Sequence, residues 1–203
     1  MSKFLWMAVL TLPVMALAAG KSPDESFYKE AAEGGLAEVD QGNLAQEKGR
    51  SQDVKDFGER MVHDHSAAND KLKAIARGKG IDLPNSPSVS QMAIIGKLKV
   101  LSGDTFDKSY IKGMIKDHQE DIAAFEKEAR NGKDLDARQF AVSTLPTLKM
   151  HLSKIQSIAA VGWNRYEPWG SHRYGSINLR PPTSGNQRRK ASRSSSLSKA
   201  HRT

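Results

Sequence analysis

The chain has 203 residues, enough for one sizeable domain with appendages, and 38% of them are apolar. It contains no cysteine, which excludes disulfides, thiolate catalysis and sulfur-ligated metal clusters together. The net charge of +8 is a property of one end: from Val161 onward there are nine Lys or Arg and one acid, leaving 22 of each sign before it.

Residues 1–19 read as a signal peptide. Lys3 supplies a positive start, Phe4 to Leu17 is apolar apart from Thr11, and Ala16-Leu17-Ala18 gives the small-x-small pattern that signal peptidase cuts. The run is shorter than the about 20 residues a bilayer span needs, and no cysteine follows it for lipid attachment. The expected destination is the periplasm or the exterior.

Residues 23–160 carry the helical patterns. The first predicted helix runs from about Pro23 to Lys48, with Gly49 as its stop. Ser51 is a good N-cap for the second, which bears Val54, Phe57, Met61, Ala68, Leu72 and Ile75 at helical spacing and ends near Gly78. Pro84, Asn85 and Pro87 make a loop of Gly80 to Ser88. A short helix from about Val89 to Leu101 comes next, stopped by Gly103. The fourth starts after Asp104 or Thr105 and ends at Arg130, before Asn131-Gly132. The fifth opens at Asp134, reaches about Ala160, and carries Pro146, which removes a backbone hydrogen bond and predicts a kink. Long amphipathic helices with short connections predict an all-α fold, an antiparallel four-helix bundle with one extra short helix.

Phe57-x3-Met61-Val62-x-Asp64-His65 is echoed by Tyr110-x3-Met114-Ile115-x-Asp117-His118, as expected of a duplicated hairpin. From 161 to 203 the aromatics lose helical periodicity, and Arg188-Arg-Lys-Ala-Ser-Arg is low-complexity, so a disordered basic tail is expected. Such a tail offers peripheral contact with anionic membrane surfaces. Export argues against nucleic acid as its partner.

Each long helix places one ionisable residue on its apolar stripe. Glu38 lines up with Phe27, Ala31, Gly35, Gly42 and Ala45; His65 with Phe57, Met61, Ala68 and Leu72. His118 falls among Met114, Ile122 and Phe125, and His151 among Leu148, Leu152 and Ile155. Asp121 follows His118 by one turn on nearly the same face. Bundle interiors are where such proteins build metal sites, and imidazoles with a carboxylate suit zinc, iron, copper or nickel. The alternative for the same residues is a metal-free network of buried histidine–carboxylate hydrogen bonds that fixes the packing, in a structural or stress-response protein. Asp64 and Asp117 point about 100° away from their neighbouring histidines, as supporting partners or surface charges. His63, His172 and His201 read as surface or tail residues, the methionines as core filler, and Gly34-Gly35 as a place for close helix packing. No P-loop or nucleophile elbow is present, which favours binding over catalysis.

Further motifs tie these helices together: Phe27-x3-Ala31-x2-Gly34-Gly35-x2-Glu38-Val39-x2-Gly42-x-Leu44-Ala45, Phe106-Asp107-x2-Tyr110 and Leu145-Pro146-x-Leu148-x2-His151-Leu152. With Met61-Val62-x-Asp64-His65 and Met114-Ile115-x-Asp117-His118, they resemble the bacterial domain of unknown function family 4142 over residues 25–158. The resemblance implies a ferritin-like bundle in an exported protein with no established activity. Glu38, His65, His118 and His151 are among the matching positions. The Glu-x-x-His pairs of di-iron ferritin-like enzymes are missing from the chain, which argues against ferroxidase or oxygen-activating chemistry.

Overall fold

A computed structural model describes residues 24–166, with side chains as far as Gly162. The predicted signal peptide and residues 167–203 lie outside the described residues. The chain divides into two units, Met1–Glu167 and Pro168–Thr203, and every described residue falls in the first. Among the described residues all regular structure is helical: α1 Glu25–Lys48, α2 Gln52–Lys79, α3 Val89–Lys99, α4 Gly103–Asn131 and α5 Leu135–Tyr166. None is long and apolar enough to cross a membrane.

Local chemistry sets most of the helix ends. The Ser51 hydroxyl accepts from the Val54 N–H at the start of α2. Gly80 closes that helix in the left-handed region at φ 65°, a conformation glycine adopts without a Cβ clash; Gly78 stays helical. Ser88 and Gln91 form a capping box on α3. The Asp134 carboxylate accepts from the Asp136 and Ala137 N–H groups and caps α5. That helix passes through Pro146 and beyond the expected end at Ala160 to Tyr166. Aromatic residues without periodicity do not terminate a helix, and no proline occurs between Pro146 and Pro168.

Helix α1 packs mainly on α2, and α4 on α5. Lighter contacts join α1 to α4 and α2 to α5, while α3 lies against α1 and touches α4. The interior holds two apolar clusters. One contains Phe57, Met61, Phe106, Tyr110, Met114 and Ile155, with Ile95 and Leu98 of α3. The other contains Phe27, Leu72, Phe125, Phe140 and Leu148. Helices α1 and α5 run from the second cluster to the first, and α2 and α4 run the other way. Between the clusters each long helix contributes a buried polar residue: Glu38, His65, His118 and His151. The echoed segments also meet within the first cluster, where the Phe57 and Tyr110 rings are 6.3 Å apart and edge-on.

Both tight turns are held by a carboxylate from distant sequence. Asp107 on α4 accepts from the Arg50 and Ser51 N–H groups, each at 2.9 Å, in the α1–α2 turn. Asp24, just before α1, accepts from the Lys133 and Asp134 N–H groups at 2.7 and 2.5 Å in the α4–α5 turn. Asp107 and Asp24 are both buried, so these are hydrogen bonds to charged acceptors in a partly desolvated setting.

Close approach of α1 and α2 depends on glycine. A Cβ on Gly58 would lie 2.6 Å from the Gly42 carbonyl oxygen, and one on Gly42 would lie 2.7 Å from that of Gly58. Gly35 gives the same access to the Asn69 side chain, whereas Gly34 has only ordinary contacts. The packing role expected of the Gly34-Gly35 pair is thus carried by Gly35.

Candidate metal centre

The three histidines arrive from α2, α4 and α5 at one height, between the two apolar clusters. Their relative exposures are 6% for His65, 0% for His118 and 1% for His151. One nitrogen from each forms a group whose members all lie within 4.8 Å of one another. Edges of the group are set by ring contacts, with centroids 5.8 Å apart for His65–His118 and 5.4 Å for each of the other two pairs. The Phe57 ring closes one side, 6.3 Å from His118 and 6.2 Å from His151.

Which nitrogens carry lone pairs follows from what the opposite nitrogens touch. His118 Nδ1 stands 3.0 Å from the Met114 carbonyl oxygen, which only accepts. Nδ1 therefore holds the proton and Nε2 is bare. His151 Nε2 lies 2.8 Å from Asp64 Oδ2. Burial raises the Asp64 pKa, but hydrogen bonds from His63 and His151 and the Arg60 charge outweigh that and keep it below its usual value. An ionised Asp64 accepts from His151 Nε2–H, so His151 Nδ1 is bare. His65 Nδ1 donates to Glu38 Oε2 at 2.8 Å, and its Nε2 is buried without a hydrogen-bond partner.

His118 Nε2 and His151 Nδ1 are consequently two lone pairs facing each other at 3.3 Å. That contact is repulsive unless a proton or a metal ion joins it. A proton is disfavoured: burial pushes His65 and His151 down to about 4, and pushes His118 down as well. All three imidazoles are neutral at pH 7, the form that ligates metals. Two nitrogens held at ~2.05 Å on a tetrahedral ion stand about 3.3 Å apart, which matches the observed separation.

Glu38 and Asp121 are placed one layer out. Glu38 also lies 3.4 Å from His118 Nδ1, so both its histidine contacts are with nitrogens turned away from the group. Burial raises Glu38 to about 7 despite His118 and a hydrogen bond from Asp121. Burial and then the Glu38 charge push Asp121 well above the carboxylate range, so burial and mutual repulsion favour protonation within this pair. The five residues picked from the sequence are thus neighbours, with three histidines converging and the two carboxylates backing them.

Asp64 takes the supporting role that its helical position allowed. Asp117, its counterpart in the echoed segment, instead accepts from Gln41 and is raised by burial. His63 is exposed, yet its Nδ1 lies 2.7 Å from Asp64 Oδ1; His172 and His201 lie outside the described residues. Sequence periodicity gave no hint of the Met114 carbonyl, since backbone acceptors leave no residue-type signal. Nor did it indicate two cavities beside His65. One, of about 20 Å³, is bordered by Glu38, Asn69 and Asp121, room for about one water. The other, of about 170 Å³, opens between α2 and α5 and is lined by Asp64, His65, Lys71, Thr144, Thr147 and His151, among others.

A family model described as Domain of unknown function (DUF4142) matches residues 10–158, and the chain belongs to that family. A crystal structure of a DUF305 fragment from Deinococcus radiodurans is similar in fold, with a TM-score of 0.60 at 15% identity. The match covers 69% of this chain and 97% of that one. No curated protein matches the chain.

Proposed function

We propose that this DUF4142 protein is a metal-binding protein that holds one divalent transition-metal ion, zinc, iron, copper or nickel, through His65, His118 and His151. Glu38 and Asp64 orient His65 and His151 as outer carboxylates, and Asp121 tunes Glu38. The setting is an antiparallel four-helix bundle of ferritin-like type, working in the periplasm or outside the cell after removal of residues 1–19. One observation carries the reading: two buried imidazole lone pairs face each other at 3.3 Å while their opposite nitrogens are bound to acceptors.

The rival reading, a metal-free polar network, needs an imidazolium between those nitrogens. Burial opposes it, holding His151 down to about 4. The test is elemental analysis of untagged protein purified from the periplasm, beside a His65→Ala, His118→Ala, His151→Ala triple variant. About one metal per chain, lost in the variant, is expected. No metal in either protein after supplementation overturns the reading in favour of the polar network.

A further inference from the structure

Three histidines fill three positions of a four-coordinate ion, and sites of this composition keep the last one for a water or an exogenous ligand. The surroundings of the group are unequal. On one side Phe57 packs against His118 and His151 and carries no ligand atom. Beside Glu38 and Asp121 there is space for about one water. Among the described residues, the cleft between α2 and α5 gives the larger space, about 170 Å³, enough for a polyatomic molecule, and both His65 and His151 line it.

The polar groups in that cleft have different capacities. Thr144 and Ser143 donate their hydroxyl protons to the Phe140 carbonyl. Asp64 is engaged with His151, His63 and Arg60. Lys71 lines the same cleft, is exposed, and forms no ion pair among the described residues. Thr147 lines it from one turn before His151 on α5. A cationic ammonium and a hydroxyl lining a cleft that also reaches His65 and His151 offset the engaged Asp64 carboxylate and favour a negatively charged guest.

We propose that the α2–α5 cleft admits a small monoanion, of carboxylate or pseudohalide size, to the fourth position of the metal, with Lys71 and Thr147 guiding it in. This rests on the metal-binding reading above. The cleft is the access route, and the anion is a direct ligand of the ion.

The experiment loads the full chain with Co(II) and titrates sodium azide, reading the visible ligand-field bands; cobalt stoichiometry is measured in parallel. A saturable spectral change is expected. In Lys71→Glu it should be weakened about tenfold by the reversed charge, with one cobalt per chain retained. Thr147→Phe, which fills the cleft, should remove it. Lys71 is exposed, so its variant keeps the test sound even if the larger Thr147 side chain disturbs α5. Bound cobalt whose spectrum ignores azide overturns the anion position. An equal azide response in both variants overturns the cleft as the route. Failure to bind cobalt at all overturns the metal reading itself, and the stoichiometry separates that outcome from the other two.

Discussion

Asp64 fixes His151 by accepting from its Nε2–H at 2.8 Å, and that single contact decides which nitrogen faces inward. Asp64→Ala frees the ring to take either tautomer and either orientation. The expected result is a loss of about 10- to 100-fold in metal affinity with unchanged stoichiometry, measured by competition with a chromophoric chelator. An unchanged affinity would mean that His151 does not ligate through Nδ1. Glu128 illustrates the opposite arrangement, an acid whose neighbours Asp24 and Asp134 outweigh the Lys127 charge. Burial, then the Asp24 charge and a hydrogen bond with Asp24, raise its pKa from 4.5 to about 6. The folded protein therefore binds the proton more tightly than the unfolded chain. The contribution to stability is present below about pH 4.5 and is lost as pH rises through about 6. Glu128→Gln should thus stabilise the protein at pH 8 by about 1 kcal/mol, discounted for partial exposure. Denaturant titrations at pH 8 and pH 4 check it, since the gain must vanish at the lower pH.

Among the elements, the α1–α2 pair is the most demanding. Backbone oxygen of each helix sits where a Cβ of the other's glycine would go, with 2.6 and 2.7 Å separations at Gly58 and Gly42. Gly58→Ala gains up to about 1 kcal/mol in helix propensity but forces the helices apart. A net loss of about 2 kcal/mol is expected in chemical denaturation, with weaker metal binding because Glu38 and His65 ride on the displaced helices. How far the elements could be read from sequence differs along the chain. Helix identities were legible because apolar spacing is strongly periodic, and Ser51 announces its helix by cap chemistry; the Ser88–Gln91 capping box emerges only in the structure. The end of α5 was not, because Trp163 to Tyr166 has a composition that neither forbids nor demands a helix. The four ionisable residues were legible as intrusions on apolar stripes. Their common height was not, because periodicity fixes direction around a helix and says nothing of how far along it a neighbour lies. The lone-pair geometry depends on contacts such as His118 Nδ1 to the Met114 carbonyl, which no residue pattern encodes.

Across the whole molecule, a polar belt divides the interior into two apolar halves. Grouping neutral histidines there costs stability, because buried nitrogens lack partners. A ligand that engages the belt only in the folded state returns it by mass action. At a free metal concentration 100 times the dissociation constant the gain is about 2.7 kcal/mol, or roughly 10 °C in Tm for a domain of this size. Differential scanning calorimetry with zinc, and with the triple histidine variant as control, should show that rise in the first protein alone.

The carboxylate clamps on the turns have a consequence for how the molecule is joined. Asp107 completes a turn 57 residues earlier in the chain, and Asp24 completes one 109 residues later. Each half carries the part that the other half lacks, so continuity of the loop between α2 and α3 is a convenience of synthesis rather than a condition of recognition. Severed within residues 82–87, the two pieces would still bear complementary ends, each able to identify its mate in a mixture and restore the parent from separate strands of polypeptide.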